Sequence, residues 1–230
     1  MIDFKNYLFR CSSLGKIMTN DRSGKNMGET AKTYLKELYL EAKFDIKKDF
    51  SSKYIEKGLM AEESAIALYS FVKGDFYTKN DEWFKNDFVS GTPDIISDNI
   101  VIDIKNAWDA TTFPFFEDEL PNKAYAYQVH GYMWLTGKER ASLAYCLIDT
   151  PTQLVEDEKR RMAWKMGLID DINQDYIDAC AEIDKAHVFN QFPKEMRVKE
   201  FFVDRDEKVI EAIKQRIIEA RMYLISLDAN

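Results

Sequence analysis

Apolar residues recur every three or four positions along most of the chain, and this spacing predicts amphipathic helices. The predicted helices cover about residues 28–44, the stretch after Ser51 and Ser52 to about 72, 122–135, a long region from 152 to about 186, and 204–227. Asn26 is expected near the cap of the first helix. Gly137 follows the third helix, at a position where glycine is typical of a helix C-terminus.

Short apolar and aromatic runs predict strands between residues 75 and 105, where the helical spacing stops. These runs are 76–77, 83–84, 88–90, 95–96 and 100–104, and further extended segments lie at 141–148 and 198–203. Asp98 and Asn99 are turn formers and predict a hairpin between the runs at 95–96 and 100–104. The order of these elements predicts an α/β fold, with a central mixed β-sheet flanked by helices and a helical C-terminal region.

The domain organisation is predicted to be simple, because no repeat, low-complexity stretch or Pro/Gly-rich linker divides the 230 residues. We expect one domain over 1–230, with a core at about 5–148 and a helical extension at about 152–230. No apolar run approaches the roughly 20 residues that span a bilayer. The N-terminus lacks the pattern of a secretory signal, and three isolated cysteines fit a reducing compartment, so we expect a cytoplasmic protein.

The net charge of −8 has the wrong sign for a protein that coats nucleic acid through its overall field. An enzyme that holds DNA in a local basic channel remains compatible with this charge. A cluster of early basic residues is a candidate lining for such a channel, although a solvated charged surface is the commoner explanation. These residues are Lys16, Arg22, Lys25 and Lys32.

Candidate chemistry is concentrated in Gly91-Thr92-Pro93-Asp94 and in the strand 100–105 that follows. Asp103 and Lys105 are two residues apart on that strand, so their side chains share one face. Asp94 and Asp103 can therefore converge on one hard divalent cation, and Lys105 is placed to orient or activate the attacking water and to offset phosphate charge. Ile104 faces the core, and its carbonyl is a further candidate metal ligand. A lone Asp-x-Lys pair is more often a surface feature, but here it interrupts an apolar strand.

Two helices add polar side chains at positions of apolar stripes. Glu62 falls within a stripe formed by Ile55, Leu59, Ile66 and Tyr69, whereas Glu63 falls on a more polar face. An inward carboxylate needs a cation or an ion pair, so Glu62 is a metal-ligand candidate, with a buried salt bridge, for example to Lys105, as the alternative. Gln128 lies in a second stripe, formed by Ala124, Tyr125, Tyr132 and Leu135. It is a candidate partner for a phosphate, a water or Lys105, and a bond to the backbone is the alternative.

These residues, taken in order, resemble the PD-(D/E)xK nuclease superfamily, and most of all the family of phage lambda exonuclease and YqaJ-like viral recombinases. The matching segments are Gly58-Leu59-Met60-Ala61-Glu62, Ser90-Gly91-Thr92-Pro93-Asp94, Val101 to Lys105, and Gln128 to Trp134. The chain departs from the family at Ile95, where a glycine usually follows the Asp, and at Asp103, where Glu is common. The resemblance covers about residues 5 to 148.

Arg10-Cys11-Ser12-Ser13 resembles the family segment that helps to hold a 5′ phosphate. Ser12 is the counterpart of the phosphate-binding Ser, and either Arg10 or Lys5 supplies the basic group. Tyr132 is assigned with Arg10 and Ser12 to the substrate phosphate. A helix cap is the alternative role for this segment.

The resemblance implies hydrolysis of DNA phosphodiester bonds with Mg²⁺ or Mn²⁺, held by Glu62, Asp94, Asp103 and Ile104. Lys105 and Gln128 would complete the catalytic set. It further implies a 5′-to-3′ exonuclease that digests linear duplex DNA in recombination or DNA processing, in the cytoplasm of the host cell if the chain is viral. Its partners would be DNA and a single-strand annealing protein, and it would form a homo-oligomer, a trimer in such relatives.

Several alternatives remain open from the sequence. A RecB-like or CRISPR-associated nuclease of the same superfamily is one, although three cysteines cannot supply the four that an iron–sulfur cluster needs. A restriction-type endonuclease shares the core motif. A DNA-binding or assembly module that does not cleave is a third, and a purely structural helical protein would leave the charged residues on apolar faces without explanation.

Overall fold

The chain forms an α/β structure with a mixed β-sheet flanked by helices, as the sequence predicts, but a second, smaller sheet accompanies the predicted one. A computed structural model describes residues 3–46, 52–168 and 173–228. The α-helices are α1 (Leu14–Ile17), α2 (Glu29–Phe44), α3 (Lys53–Lys73), α4 (Ala124–Thr136), α5 (Thr152–Lys165), α6 (Gln174–His187) and α7 (Glu207–Asp228). Short 3-10 turns lie at Phe4–Asn6, Cys11–Ser13 and Lys194–Arg197. Within the described ranges, no helix is both long and apolar enough to cross a membrane.

The strands form a three-stranded and a four-stranded sheet. They are β1 (Phe9–Arg10), β2 (Phe84–Lys85), β3 (Val89–Gly91), β4 (Ile95–Ile96), β5 (Ile100–Asn106), β6 (Arg140–Cys146) and β7 (Val198–Asp204). The smaller sheet has the order β1-β3-β2, and the larger has the order β4-β5-β6-β7. In the larger sheet β5 and β6 are parallel, while β4 and β7 are antiparallel to their neighbours, so the sheet is mixed.

The larger sheet buries both of its faces. On one face, α3 packs against Ile102 and Ile104 of β5. On the other face, α4 and α7 form a core with Val101 and with residues of β6 and β7. Because side chains alternate along a strand, β5 sends Ile102 and Ile104 toward α3 and sends Asp103 and Lys105 toward α4. The predicted orientation of Ile104 toward the core is confirmed.

Most predicted element positions are confirmed. Ser52 caps α3 by accepting a hydrogen bond from the backbone N–H of Ile55, whereas Ser51 lies outside the described residues. Gly137 ends α4 with a φ of 70°, a left-handed conformation that favours glycine. The long predicted helical region is divided into α5 and α6. The extended segment near residue 198 is β7, which pairs with β6 along its whole length.

Asn26 lies near the cap of α2, as predicted, but the capping residue itself is Gly28, and the side-chain amide of Asn26 donates to the carboxylate of Asp21 in the preceding turn. One local prediction is wrong. Residues 76–77 form no strand. The backbone N–H of Tyr77 donates to Ser70 Oγ instead of to a neighbouring strand, and the ring of Phe76 is 84% exposed.

The predicted apolar stripe on α3 is wrong in its first half. Ile66 and Tyr69 are buried, but Ile55 and Leu59 are 51% and 72% exposed. The buried side of this half is formed by Lys57 and Ala61 instead. The face of α3 that carries Lys57 and Ala61 therefore lies toward the core, and the face that carries Ile55 and Leu59 lies toward the cleft.

Close backbone packing joins the N-terminal segment to α4. A Cβ atom added at Gly131 of α4 would lie 2.7 Å from Cys11 Sγ and 2.8 Å from Leu14 Cδ1. A Cβ atom added at Gly91 of β3 would lie 2.7 Å from the ring of Tyr132. These contacts are shorter than carbon atoms tolerate, so glycine is required for the segment around Cys11 to lie against α4.

Gly131→Ala is expected to lower the free energy of unfolding by about 1–3 kcal/mol, because the added methyl overpacks a closed contact. Gly58→Ala on α3 is the matched control, since no atom lies within 4 Å of its added Cβ. That control is expected to stabilise the protein by about 0.5–1 kcal/mol through the helix propensity of alanine. Urea denaturation of the two variants measures the difference, and equal stabilities would contradict the packing argument.

Lys57 is a buried cation that connects α3 to the loop after β5. Its side chain is 1% exposed, and its ammonium donates a hydrogen bond of 2.8 Å to the backbone carbonyl of Trp108. Burial lowers the pKa of Lys57 to about 8, against the opposing influence of Asp109 and Asp149. The folded protein therefore favours the neutral amine more than the unfolded chain does.

Wild type and Lys57→Met are expected to differ in how their stabilities depend on pH. The cost of burying the charge is fully present below about pH 8 and is relieved as the pH rises from about 8 toward 10.5, the ordinary pKa of a lysine. The stability of wild type relative to Lys57→Met should therefore rise by about 2 kcal/mol over this window. Urea denaturation of both proteins at pH 7 and pH 10 measures this change, and a constant difference would contradict it.

Candidate active site

All nine predicted site residues line one cleft with a volume of about 1130 Å³. The cleft lies between the N-terminal segment with α1 and α2, the first half of α3, the β4–β5 hairpin, and α4. The nine residues are Arg10, Ser12, Glu62, Asp94, Asp103, Ile104, Lys105, Gln128 and Tyr132. Lys5, the alternative to Arg10, is not among the residues that line the cleft. Of the early basic cluster, only Lys16 lines it.

Asp103 lies at the bottom of the cleft and is 2% exposed. Its Oδ1 accepts a hydrogen bond of 2.8 Å from the side-chain amide of Gln128. Its Oδ2 lies 2.7 Å from Lys105 Nζ, but it accepts no hydrogen bond of acceptable geometry. This buried oxygen therefore has an ion-pair contact and retains a lone pair for another cationic or donor group.

Lys105 lies on the same face of β5 as Asp103, as predicted. Its ammonium also donates to Gln128 Oε1 at 3.3 Å and lies 4.5 Å from the ring centre of Tyr125. Burial acts to lower the pKa of Lys105, but the negative charge of Asp103 outweighs it and raises the pKa above its ordinary value. Lys105 is therefore a cation at neutral pH.

Asp94 approaches from the segment that leads into β4. Its Oδ2 accepts a hydrogen bond of 2.6 Å from the backbone N–H of Ile104. Burial and, after it, the charge of Asp103 raise the pKa of Asp94 to about 7. The two carboxylates therefore share one poorly solvated space, and a positive charge placed between them would stabilise both.

Gln128 connects the parts of the site. Its amide nitrogen donates to Asp103 and, at 3.1 Å, to the hydroxyl of Tyr132, while its carbonyl oxygen accepts from Lys105. The alternative in which a backbone group satisfies Gln128 is wrong, because its partners are side chains of the site. Burial and the charge of Asp103 raise the pKa of Tyr132, so its hydroxyl remains protonated.

Glu62 lines the cleft but is partnered by Lys79, at 2.9 Å, and not by Lys105. Its side chain is partly solvated, and Glu63 is exposed, as expected. Across the described ranges, no three His, Cys, Asp or Glu side chains converge closely enough to form a metal-ligand set by themselves. Asp94 and Asp103 are the two acidic groups that the structure brings together.

The segment around Ser12 lies in the cleft and does not act as a side-chain cap. Ser12 is exposed within the 3-10 turn, and the capping position of α1 is Ser13, whose hydroxyl makes no capping hydrogen bond. A smaller cavity of about 430 Å³ shares Arg10, Ser12 and Tyr132 with the main cleft, and Thr92 also lines it.

Three residues near the site were not predicted in their roles. Tyr125 places its ring beside Lys105, and its position one helical turn before Gln128 was the available signal. Thr92 lines the smaller cavity and belongs to the Pro-Asp segment itself. No local pattern indicated that Lys79 would pair with Glu62, because that contact depends on how the chain returns after α3.

Asp103→Asn is expected to lower the pKa of Asp94 from about 7, because the nearest negative charge is removed. The pKa of Asp94 should remain above 3.8, the ordinary value of an aspartate, since burial is the largest cause of the shift. Carboxyl-carbon NMR titration of Asp94 measures the effect, with the exposed Glu63→Gln as control. An unchanged pKa of Asp94 would show that the two carboxylates do not interact.

Comparison with known proteins identifies relatives by structure. No protein-family model matches the chain, and no curated protein matches it by sequence. The crystal structure of a phage-related exonuclease from Haemophilus somnus 129PT superposes with a TM-score of 0.79 and 29% identity, covering 97% of this chain and 96% of the other. An alkaline exonuclease from Laribacter hongkongensis superposes with a TM-score of 0.64 and 15% identity, covering 96% and 90%. A complex of that enzyme with dAMP gives a TM-score of 0.63 and 16% identity, covering 95% and 88%.

The likeness to the Laribacter enzyme supports the fold alone, whereas the likeness to the Haemophilus exonuclease also supports a nuclease function for this chain. The resemblance predicted for about residues 5 to 148 is thereby confirmed, and the structural likeness also extends over the C-terminal part, which carries no recognisable motif. The fold, the Pro-Asp and Asp-x-Lys segments and the Gln-bearing helix are all consistent with a PD-(D/E)xK nuclease family of the lambda exonuclease and YqaJ-like type.

Proposed function

We propose that this protein is a metal-dependent deoxyribonuclease that digests linear duplex DNA from its 5′ ends in recombination or DNA processing. The observation that carries the proposal is the convergence of all nine predicted residues on one cleft. The similarity to a phage-related exonuclease over 97% of the chain supports the same reaction class. One strand of the duplex would remain as single-stranded product for an annealing protein, and a homo-oligomeric ring of three copies is part of the proposal by family analogy.

The residues of the site fit a hard divalent cation. Mg²⁺ is usually held by one or two carboxylates, with waters and substrate phosphate completing its shell, so a set of three acidic side chains is not needed. Asp94 and Asp103 supply the two carboxylates, and the unfilled lone pair of Asp103 Oδ2 is the donor that a cation would use. The carbonyl of Ile104 and, after release from Lys79, Glu62 are the further proposed ligands. When bound, Mg²⁺ or Mn²⁺ supplies positive charge that polarises the scissile phosphate and acidifies a water.

Lys105 acts in this proposal as a fixed hydrogen-bond donor. The charge of Asp103 raises the pKa of Lys105 above its ordinary value, which favours the ammonium form that such a donor needs. Asp103 and Gln128 hold its ammonium in place, and the ammonium orients the attacking water and offsets negative charge on the phosphate. Gln128 in turn fixes the orientation of the Asp103 carboxylate through its amide nitrogen.

The terminal phosphate is proposed to bind where the main cleft meets the smaller cavity. Arg10, Ser12 and Tyr132 line both spaces, and together they offer one cation and two hydroxyl donors. Arg10 and Ser12 are far from Asp94 in sequence, but the contact of the N-terminal segment with α4 places all three residues in the same cleft. A mononucleotide complex of the Laribacter enzyme supports nucleotide binding in this fold.

Linear duplex DNA is expected to be degraded in Mg²⁺ and preserved in EDTA, while closed-circular duplex remains intact. Substrates labelled at the 5′ or 3′ end test the direction, because early release of the 5′ label alone indicates digestion from that end. The Lys105→Ala variant should lose activity by about 100-fold or more, as loss of a positioned catalytic group typically costs.

Glu62→Gln and Glu63→Gln form a matched pair of neighbours in this assay. Glu62→Gln should raise the Mg²⁺ concentration needed for activity, whereas Glu63→Gln should behave as wild type because its side chain is exposed. Cutting of closed circles would favour an endonuclease. Binding without cleavage, in both Mg²⁺ and Mn²⁺, would overturn the catalytic proposal and favour a DNA-binding module.

A further inference from the structure

The first half of α3 forms an apolar wall of the cleft that the proposed chemistry does not use. Tyr54, Ile55 and Leu59 all line the cleft, and their exposed fractions are 58%, 51% and 72%. Large apolar side chains exposed side by side at a binding cleft indicate a ligand with an apolar surface. The phosphate backbone of a nucleic acid does not offer such a surface, but its bases do.

Tyr54 is held as a rigid platform within this wall. Its ring packs edge-on against the indole of Trp108, with centroids 5.4 Å apart and an interplanar angle of 72°. Trp108 is itself 7% exposed, and its backbone carbonyl accepts the hydrogen bond from the buried ammonium of Lys57. His187 packs against the indole at 5.0 Å. The Tyr54 ring is thus supported from beneath and accessible from the cleft, as a stacking surface requires.

A cation lies beside this platform. The ammonium of Lys53 is 4.3 Å from the ring centre of Trp108 and 5.7 Å from that of Tyr54. It also pairs with Glu158 at 3.4 Å, a loose contact between two partly exposed groups. A stacked base would therefore have a positive charge close to its own phosphate or to its π-system.

A second wall has a different chemistry, since the N-terminal segment, α1 and α2 contribute Arg10, Ser12 and Lys16 to the cleft, together with the acidic Glu37 and Glu41. A single nucleic-acid strand presents phosphates on one side and bases on the other, so the basic and hydroxyl groups of this wall suit its phosphates and the apolar side chains of α3 suit its bases. A paired duplex hides its bases from such a wall. The contrast between the walls therefore favours an unpaired strand with its bases toward α3.

We propose that Tyr54, supported by Trp108 and flanked by Lys53, forms a stacking subsite for one base of an unpaired DNA strand in the cleft. This inference rests on the proposed function, because it requires DNA to occupy the cleft. Tyr54 precedes Glu62 by two turns of the same helix, which corresponds to about 12 Å at 1.5 Å per residue.

The test is a binding cycle in EDTA, so that no cleavage occurs. Fluorescence anisotropy would measure the affinity of wild type, Tyr54→Ala and Tyr54→Phe for a labelled single-stranded 10-mer, and for a series of such 10-mers with one abasic position each. Tyr54→Ala should weaken binding of the intact strand by roughly ten-fold, whereas Tyr54→Phe should stay near wild type because the ring is retained. One abasic position should weaken wild type by a similar factor and leave Tyr54→Ala unaffected.

Phe116→Ala is the control for loss of an exposed aromatic side chain, since Phe116 is 93% exposed and does not line the cleft. It should bind as wild type does. If no abasic position distinguishes wild type from Tyr54→Ala, the subsite is overturned even when the intact strand binds more weakly.

A parallel Mg²⁺ digestion of duplex DNA separates the two proposals. Cleavage by wild type, combined with no dependence on an abasic position, overturns the subsite and leaves the nuclease proposal standing. Position-specific dependence on Tyr54 without any cleavage supports the subsite and overturns the nuclease proposal. Absence of both binding and cleavage overturns both.

Discussion

The buried carboxylate of Asp103 is the constraint on which the rest of the site depends. A carboxylate that is 2% exposed is costly to bury unless cations and donors replace the lost water. Lys105 and Gln128 provide that replacement from two different elements, β5 and α4, so α4 must lie in a fixed position over the sheet. The same burial, with the added charge of Asp103, raises the pKa of Asp94 and makes the pair a place for a cation. One buried charge thus links the packing of the sheet to the chemistry of the cleft.

Features that depend on local geometry could be predicted from the sequence. The alternation along β5 fixes which side chains share a face, so the proximity of Asp103 and Lys105 follows from their spacing. Gln128 and Tyr132 lie one turn apart on α4, and their hydrogen bond follows in the same way. The start of α3 at Ser52 and the end of α4 at Gly137 could be predicted because each depends on a single capping residue.

Features that depend on distant packing could not be predicted in this way. On α3 the spacing of Ile55 and Leu59 indicated a buried face, but the sheet accepts Lys57 and Ala61 there instead. A lysine is rarely buried, and its burial here depends on the carbonyl of Trp108, brought from the end of β5, and on the rings of Trp108 and Phe189 beside its ammonium. The approach of Arg10 and Ser12 to the cleft depends on the glycine contact between the N-terminal segment and α4. For these two residues only the family resemblance pointed to the site.

The charge of the cleft explains how an acidic protein can be adapted to an acidic polymer. Five acidic residues and three basic residues line the cleft, so it is not the local basic channel that remained compatible with the net charge of −8. The acidic residues are Glu37, Glu41, Glu62, Asp94 and Asp103, and the basic ones are Arg10, Lys16 and Lys105. Long-range attraction of DNA to such a surface is weak. Under the proposed function, binding would therefore come from short-range contacts: cations held by Asp94 and Asp103, a few directed donors at the phosphates, and apolar surface such as that of Tyr54 for the bases. These contacts act only on DNA that has entered the cleft, and this favours selection of an accessible end over the uniform flank of a duplex.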